Sequence, residues 1–528
     1  MAISSATPAR FSATSGSLKA MMLLLSFMEG AAVMIAELVG AKMLAPVHGS
    51  SLHVWGAIIG VSLTALTAGY FLGGILSHRR QRRAILYWAM TLAAFLIAAM
   101  PALANALMFA FEDMGAVPAV LLLALLLLFL PLLCLGAASP LIIGIISERI
   151  EHAGRAAGTV YAVSTTGGIL ATFLCGFYFI PEYGLTATAQ TTGLVLMVLP
   201  LGLLLGRGHV PALALPILAL LLMAPEPLPS RPSPVQVLYQ SEGLLGQLIV
   251  ADVPMGRQRT DRILFVNRMA QTWVNTETGQ PVWDYYRYLK SVASALPEGA
   301  RALLLGLGGG ILARELQAIG FQVDGVELDA RIARIAETYF HLQPKGELHV
   351  DDGRHFLRTT DRQYDLVIFD VFKAEIPPPH LLTLEAFREA RQLLAPGGFL
   401  VINFNGFLEG ELGYPGRSIL KTLEAAGLTV HILPTPGEED ARNNIFIATP
   451  DARDFATVRA PLSIDGRQAA LPDLFLDTAL IDRNAAALLV DDRPILDKLN
   501  LKAAAIWRKA YTDNFTKRLV AAGIPLFE

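Results

Sequence analysis

The chain has 528 residues, of which 53% are hydrophobic and 16% are charged, and its formal net charge at pH 7 is -3. Soluble domains carry about 25% charged residues, so this composition excludes an entirely soluble protein and predicts a part embedded in lipid. No long basic run is present, which argues against a nucleic-acid partner. Cys134 and Cys175, the only cysteines, lie in apolar stretches and form neither a disulfide framework nor a metal site.

After a polar tail over residues 1–17, the sequence predicts a multi-pass α-helical membrane domain over residues 18–225 with about seven spans. A span of roughly 30 Å of hydrocarbon takes about 20 helical residues. Stretches of this kind lie near 18–38, 54–77, 84–110, 117–147, 158–180, 186–206 and 209–225. The first is too long for a removed signal peptide and is interpreted as an anchor.

Positive charge is concentrated in the loops on one side of these stretches, at Arg10, Lys19, residues 78–83, Arg149, Arg155 and Arg207. By the positive-inside rule this side is cytoplasmic. Seven crossings would then leave the C-terminal half outside, although nucleotide cofactors are made inside. Either 84–110 or 117–147 contains a break, or 209–225 does not cross fully, or the soluble domain is external. Because nucleotide cofactors are made inside the cell, we expect the soluble domain to be cytoplasmic and attached to a bacterial inner membrane.

Two acids, Glu29 and Glu37, lie inside the first apolar stretch. Eight residues of helix turn through about 800°, so the two side chains project within a quarter turn of one another. An acid at this depth is a candidate functional residue. The alternative is that each acid is protonated or hydrogen-bonded between packed helices.

A proline-rich linker over residues 226–236 separates the membrane domain from the rest of the chain. Short alternating segments then predict a small β-sheet subdomain over 237–294. From residue 295 to 450 strands alternate with helices, which predicts a Rossmann-like α/β domain with its ligand at the carboxyl ends of the strands. Residues 451–528 form a C-terminal extension.

Glycines and acids at the ends of these strands predict a nucleoside site. Gly306, Gly308, Gly309 and Gly310 in "LLLGLGGG" allow a tight turn close to a ligand. Glu327 ends the next strand, where an acid accepts hydrogen bonds from ribose hydroxyls. Asp351 and Asp352 close the third strand, where Asp352 can accept from an adenine amino group, and Asp370 closes the fourth. For each acid the alternative is an ordinary helix cap. Because nothing here neutralises phosphates, the acids favour an adenosyl sulfonium over a dinucleotide.

The segments "GQLIVADV", "RILFVNRMAQ", "LLLGLGGG", "VELD", "DDGRHFL", "YDLVIFD" and "LLVDDRPILD" resemble, in that order, the soluble domain of membrane-anchored spermidine synthases. The resemblance implies a methyltransferase-type fold that takes S-adenosylmethionine or its decarboxylated form as substrate, without a metal. It implies that Gln271 lines the nucleoside pocket and that Asp370 deprotonates or orients the attacking amine. Methylthioadenosine is the product that it implies, in polyamine biosynthesis.

The sequence departs from this family at two acids. In "DVFKAE", Lys373 replaces the second acid of the family motif, with Glu375 as a substitute two positions later. The family's Tyr-(His/Gln)-Glu signature reads Tyr285, Tyr286 and Arg287. Two cations would repel a polyamine and attract a carboxylate, which leads to the hypothesis that the substrate is intact S-adenosylmethionine. The alternative is that both cations are surface residues.

The sequence therefore predicts a membrane-anchored transferase that moves an aminopropyl-type group to an amine. A methyltransferase, or an enzyme that cleaves S-adenosylmethionine without an acceptor, is the first alternative. A transporter or sensor with a non-catalytic nucleoside domain is the second. The expected partners are a small-molecule substrate and a lipid bilayer, with a homodimer left open.

Overall fold

In the computed structural model, the described residues are 16–49, 52–111, 114, 116–147, 153–223, 235–243, 245–256, 259–372, 377–440, 442–464, 467–484, 486–524 and 526–527. The chain divides into two compact units. The helical unit comprises residues 1–230 with 241–246 and 524–528, and the α/β unit comprises 231–240 and 247–523. The division falls within the predicted linker, most of which lies outside the described residues.

The described part of the helical unit contains eight α-helices: α1 Gly16–His48, α2 Leu52–Leu76, α3 Arg82–Leu107, α4 Ala116–Ala124, α5 Leu130–Ile146, α6 Ala153–Leu174, α7 Ile180–Leu205 and α8 Ala214–Leu222. Single π-helical turns, Leu125–Phe129 and Cys175–Phe179, join α4 to α5 and α6 to α7. A 3₁₀ turn, Val210–Leu213, precedes α8.

Five continuous helical stretches in the described residues are long and apolar enough to cross a membrane, by length and composition. The predicted count of about seven is therefore not confirmed. The predicted stretches 158–180 and 186–206 belong to one helical stretch, Ala153–Leu205, which is interrupted at Gly184 by non-helical φ and ψ of 78° and 177°. The last predicted stretch becomes the short helix Val210–Leu222, about 20 Å long at 1.5 Å per residue, which is less than the hydrocarbon thickness.

Glycines let the long helices of this unit approach one another closely. A Cβ atom on Gly30 of α1 would lie 2.0 Å from the carbonyl oxygen of Ser164 on α6, and one on Gly69 of α2 would lie 2.4 Å from that of Leu133 on α5. Small residues at such positions allow backbone contact between helices. The pairs α1–α6 and α2–α5 are therefore packed backbone against backbone.

The described part of the α/β unit contains thirteen strands: β1 Gln236–Ser241, β2 Leu248–Pro254, β3 Thr260–Val266, β4 Met269–Asn275, β5 Arg301–Leu305, β6 Gln322–Glu327, β7 Leu348–Val350, β8 Tyr364–Phe369, β9 Leu394–Asn405, β10 Thr429–Pro434, β11 Asn443–Thr449, β12 Arg459–Ile464 and β13 Arg467–Ala470. Its α-helices are α9 Tyr285–Ala293, α10 Ile311–Gln317, α11 Ala330–Phe340, α12 Gly353–Thr359, α13 Leu384–Gln392, α14 Tyr414–Ala425, α15 Leu496–Tyr511 and α16 Lys517–Ala521.

The strands form the two sheets that the sequence predicts, and a further hairpin. The small sheet has the order β1-β2-β3-β4, and the large sheet has the order β10-β11-β9-β8-β5-β6-β7. Strand β5 pairs in parallel with β6 and β8, whereas β11 is antiparallel to β9 and β10. The strands β5 to β9 therefore form a Rossmann-like parallel sheet, as predicted.

The core lies on both faces of the large sheet. Leu304 of β5 and Ile368 of β8 pack into one apolar cluster, and Leu303 of β5 and Val367 of β8 pack into the other. Strands covered on both faces are apolar throughout, which explains the continuous hydrophobic runs in the sequence. The carboxyl ends of β5, β6 and β8 lie side by side, and ligands bind at such edges in open α/β sheets.

Candidate active site

The glycine turn after β5 adopts a backbone that other residues rarely reach. Gly306, Gly308 and Gly310 have φ of 85°, 52° and 74°. A Cβ on Gly306 would lie 2.3 Å from the backbone carbonyl oxygen of Asp370, so glycine is needed here for both conformation and space. The N–H of Gly309 donates to Oγ1 of Thr272 on β4 at 2.7 Å. The turn is thus fixed between the end of β8 and the small sheet.

Glu327 ends β6 and faces the glycine turn. Its Oε2 accepts a hydrogen bond from the N–H of Leu307 at 3.1 Å, and its Oε1 accepts one from the N–H of Asp329 at 3.0 Å. Burial raises the pKa of Glu327, while these backbone donors act in the opposite direction. The Leu328 N–H is a further backbone donor, so the carboxylate keeps acceptor capacity for one more donor such as a ribose hydroxyl.

Asp352 follows β7 and caps helix α12. Its Oδ1 accepts from the N–H groups of Arg354 at 2.8 Å and His355 at 3.1 Å, and its Oδ2 lies 3.1 Å from Nε2 of His380. Burial alone would raise the pKa of Asp352, but the His355 N–H and the His380 ring hold it below its ordinary value. The capping role considered for this residue from the sequence is therefore present. A role toward adenine stays a prediction.

Asp351, next to this cap, is occupied by local contacts. Its Oδ1 accepts from the N–H of Asp352 at 2.8 Å, and its Oδ2 lies 2.7 Å from Nδ1 of His355. These contacts orient the loop after β7.

Asp370 follows β8 and has two side-chain partners at the centre of the candidate site. Its Oδ1 accepts from Nδ2 of Asn403 at 2.8 Å, and its Oδ2 accepts from the hydroxyl of Tyr285 at 3.4 Å. Burial raises the pKa of Asp370 to about 6, against the two hydrogen bonds, which lower it. A carboxylate with a pKa near neutrality is suited to accept a proton from an amine.

Helix α9 brings Tyr285 and Tyr286 to the site but not Arg287. The tyrosines are 6% and 3% exposed, and their rings stack with centroids 4.0 Å apart. The Arg287 side chain is exposed and pairs with Asp284. Adjacent helical residues diverge by about 100°, so two neighbours can face the site while the third faces outward. Arg287 is thus a surface residue paired with Asp284, which was the alternative considered from the sequence, and its role in the substrate pocket stays a prediction.

Three further site residues are predicted from the sequence. Lys373 and Glu375 lie outside the described residues. Gln271 is partly buried on β4 next to Thr272, and its backbone carbonyl lies 3.7 Å from the Cβ position of Gly308. All three stay predictions. In the described part of the chain, no cluster of three or more His, Cys, Asp or Glu residues could hold a metal ion.

The sequence reasoning did not find Asn403 and Asn443, which support Asp370. Nδ2 of Asn443 on β11 donates to Oδ1 of Asn403 on β9 at 2.9 Å. This bond leaves the amide N–H of Asn403 directed at Asp370. A polar residue inside the otherwise apolar run "FLVINF" was the available signal.

A third missed residue is Arg354, only 9% exposed, which links the loop after β7 to the C-terminal extension. Its guanidinium donates to both carboxylate oxygens of Asp491, at 3.0 and 2.8 Å, and pairs with Glu389. The hydroxyl of Thr383 donates to Asp491 at 2.6 Å. Arg354 is the main cause that lowers the pKa of Asp491. The acid in "LLVDDRPILD" thus has a structural partner beside the capping residue Asp352.

Comparisons with known proteins agree with this geometry. Residues 302–398 match the family model described as a methyltransferase domain. A polyamine aminopropyltransferase of Vibrio vulnificus is 34% identical over 129 residues, which are 22% of this chain and 43% of that protein. An N-terminal histidine N-methyltransferase of Emericella nidulans is 29% identical over 139 residues, 24% of this chain and 25% of that protein.

Among solved structures, a probable spermidine synthase from Corynebacterium glutamicum is 18% identical, with a TM-score of 0.38, and the match covers 48% of this chain and 94% of that one. The chain spans less than two thirds of the length of the first curated relatives that it matches. These aminopropyltransferases and methyltransferases are all transferases. Residues 302–398 of the α/β unit therefore match a methyltransferase domain, and the chain is similar in part to polyamine aminopropyltransferases.

Proposed function

We propose that the α/β unit transfers an aminopropyl-type group from S-adenosylmethionine, or from its decarboxylated form, to an amine and releases methylthioadenosine. The observation that carries this proposal is the partly buried Asp370, held by Tyr285 and Asn403 beside the glycine turn. The similarity to polyamine aminopropyltransferases supports it.

In this reaction the lone pair of a neutral amine attacks the carbon next to the sulfonium. The carbon–sulfur bond breaks, its electrons return to sulfur, and a neutral thioether leaves. Because only the unprotonated amine is a nucleophile, the Asp370 carboxylate accepts the proton that the nitrogen loses. The Tyr285 hydroxyl donates to Oδ2 of Asp370 and limits the rotation of the carboxylate.

The position of Arg287 favours an amine acceptor. The sequence placed two cations beside the acceptor, which would repel an ammonium ion. One of them, Arg287, is exposed and already paired with Asp284. The side of the site that is described therefore presents Asp370 and tyrosine rings, which suit a positively charged substrate.

Methyl transfer is the second candidate, because the matched family model is a methyltransferase domain and one relative is a histidine N-methyltransferase. The same Asp370 would then accept a proton from the methylated nitrogen. The two reactions differ in which carbon beside the sulfonium is attacked, and therefore in the nucleoside that is released.

The test is to incubate the purified full-length protein with each sulfonium, with and without an aliphatic amine, and to identify the nucleoside. Amine-dependent methylthioadenosine supports the proposal, and S-adenosylhomocysteine supports methyl transfer. Methylthioadenosine without an amine indicates cleavage of the sulfonium. Tight binding without turnover indicates a sensor. The Asp370→Asn variant is the matched inactive control.

We further propose that the helical unit anchors the protein in the bacterial inner membrane and that the α/β unit is cytoplasmic. The directions of the helices support six alternating crossings, α1, α2, α3, α4–α5, α6 and α7. Ser26 on α1 contacts Val160 on α6, and Gly30, further along α1, contacts Ser164, further along α6. The two helices are therefore parallel. Helices α3 and α7 are antiparallel, because Arg207 contacts Tyr87 and Gly193 lies against Ala94.

Six crossings return the chain to the side where α1 begins, since α8 is too short to cross. Lys19, residues 78–83, Arg155 and Arg207 all lie at that end, which the positive-inside rule makes cytoplasmic. Labelling of single cysteines tests this topology, because the native Cys134 and Cys175 are buried. A membrane-impermeant thiol reagent should label Glu182→Cys in intact spheroplasts and Glu277→Cys only after lysis. The reverse pattern would contradict the proposal.

A further inference from the structure

A single carboxylate links three helices inside the helical unit. Glu29, on α1, is 2% exposed. Its Oε2 accepts hydrogen bonds from the hydroxyl of Ser139 on α5, at 3.2 Å, and from that of Ser164 on α6, at 2.8 Å. Protein alone therefore buries this acid, in contact with a residue from each of two other helices.

Among the described residues, the hydrogen-bond partners of Glu29 include no cation. In that part of the chain, both partners are neutral hydroxyls, and both donate to the same oxygen. An ionised carboxylate in such surroundings costs several kcal/mol unless an opposite charge compensates it. Glu29 is therefore either a neutral carboxylic acid or an ionised carboxylate paired with a positive ligand.

A tyrosine of α2 lies within electrostatic range of this carboxyl group. Tyr70 on α2 is within electrostatic range of Glu29, of Glu37 and of Tyr161 on α6. The tyrosines are 41% and 46% exposed. Glu37 is partly buried on the same side of α1, about 12 Å further along the helix axis. The buried carboxyl group thus lies within electrostatic range of one partly exposed tyrosine, Tyr70.

We propose that Glu29 is the anionic centre of a binding site for a primary ammonium ion within the helical unit. An ammonium group carries one charge and three N–H donors. The carboxylate and the hydroxyl lone pairs of Ser139 and Ser164 accept those donors. The ammonium ion replaces the proton of Glu29, which leaves to solvent, so charge balances. This site belongs to the helical unit alone and does not depend on what the α/β unit catalyses.

The proton released on binding provides the test. Butylammonium chloride is added to the full-length protein in lightly buffered detergent solution, in the Asp370→Asn background, which removes the carboxylate proposed to receive an amine in the α/β unit. About one proton per protein should be released, with saturation. Tetramethylammonium, which lacks N–H donors, should release none.

The variant Glu29→Gln keeps an acceptor for both hydroxyls but removes the charge, so proton release should be lost. Glu182→Gln, at an exposed acid of the same unit, is the matched control and should behave like its parent. Ser164→Ala should weaken binding about tenfold, because one hydrogen bond to a charged group is removed. It also provides a test should Glu29→Gln fail to fold.

Three results would overturn the proposal. They are the absence of proton release from folded parent protein, equal release from Glu29→Gln and its parent, and release by sodium chloride that matches release by butylammonium. The last result would make the site one for alkali cations.

Discussion

Acids in the two units are held by different kinds of donor. In the α/β unit, Glu327 and Asp352 accept backbone N–H groups, and Asp491 is paired with Arg354. In the helical unit, Glu29 accepts only serine hydroxyls among the described residues. Backbone N–H groups within a helix are bonded to carbonyls one turn earlier, whereas loops after strands leave such groups free.

This difference has a consequence for charge. At Asp352 the His355 N–H and the His380 ring outweigh burial, and at Asp491 Arg354 does, so the pKa of each acid lies below its ordinary value, whereas burial raises the pKa of Glu327. Neutral hydroxyls do not compensate a full charge, so Glu29 depends on a proton or a cation. Asp370 is intermediate, because it has one amide and one phenol donor, and burial raises its pKa to about 6.

The largest expected effect is that of Asp370→Asn on turnover. Removal of a general base costs about 10²- to 10⁴-fold in rate, while affinity for the sulfonium should change little, because Glu327 and the glycine turn remain. Product formation and calorimetry measure the two quantities. Asp361→Asn, at an exposed acid, is the control. Unchanged turnover of Asp370→Asn would remove this residue from the chemistry.

The glycine turn should be nearly as sensitive. In Gly306→Ala, a Cβ 2.3 Å from the Asp370 carbonyl adds to an unfavourable φ of 85°. The steric clash of the Cβ atom and the unfavourable φ angle each cost about 1–3 kcal/mol of stability. Gly397→Ala has a φ of 78° but nothing within 4 Å, so it measures the backbone contribution alone. Thermal unfolding and nucleoside affinity should both be worse for Gly306→Ala than for Gly397→Ala.

In the helical unit, substitution of Gly30 is limited by the space around its Cβ position and not by its φ angle. In Gly30→Ala a Cβ would lie 2.0 Å from the Ser164 carbonyl oxygen, whereas at Gly56 nothing lies within 4 Å. Overpacking costs about 1–3 kcal/mol, so Gly30→Ala should lower the thermal stability of the detergent-solubilised protein. Gly56→Ala should leave stability equal or slightly higher. Equal effects of the two substitutions would contradict the close packing of α1 on α6.

A smaller effect is expected at the ion pair of the C-terminal extension. Asp491→Asn removes the negative charge opposite Arg354, which loosens the loop that carries Asp352. We expect the KM for the sulfonium to rise about tenfold with kcat nearly unchanged, since a hydrogen bond to a charged group contributes about 1.5 kcal/mol. Asp492→Asn, at the exposed neighbour, should have neither effect. A fall in kcat without a change in KM would assign Asp491 another role.

The smallest effect is a displacement of the pH profile. Activity should fall below about pH 6, where Asp370 becomes protonated. Asn403→Ala removes a donor that stabilises the charged carboxylate, so the pKa should rise and the acid limb of kcat/KM should move up by roughly one pH unit. Asn405→Ala, near the same strand end, should leave the limb in place. A limb that moves down would contradict the assigned hydrogen bond.

Local patterns were sufficient for much of the architecture. Apolar runs identified the helical unit, and alternating strands and helices identified the parallel sheet with its glycine turn and terminal acids. These features depend on hydrophobic periodicity and on the backbone freedom of glycine. Both can be recognised in short stretches of consecutive residues.

Only the tertiary structure decided which side chains meet. It placed Asn403 on Asp370, Arg354 on Asp491 and the hydroxyl of Ser164 on Glu29, all pairs far apart along the chain. It also turned Arg287 outward and showed that the last predicted stretch of the helical unit is too short to cross. Such outcomes depend on the orientation and packing of whole elements, and the residues within any one element do not encode them.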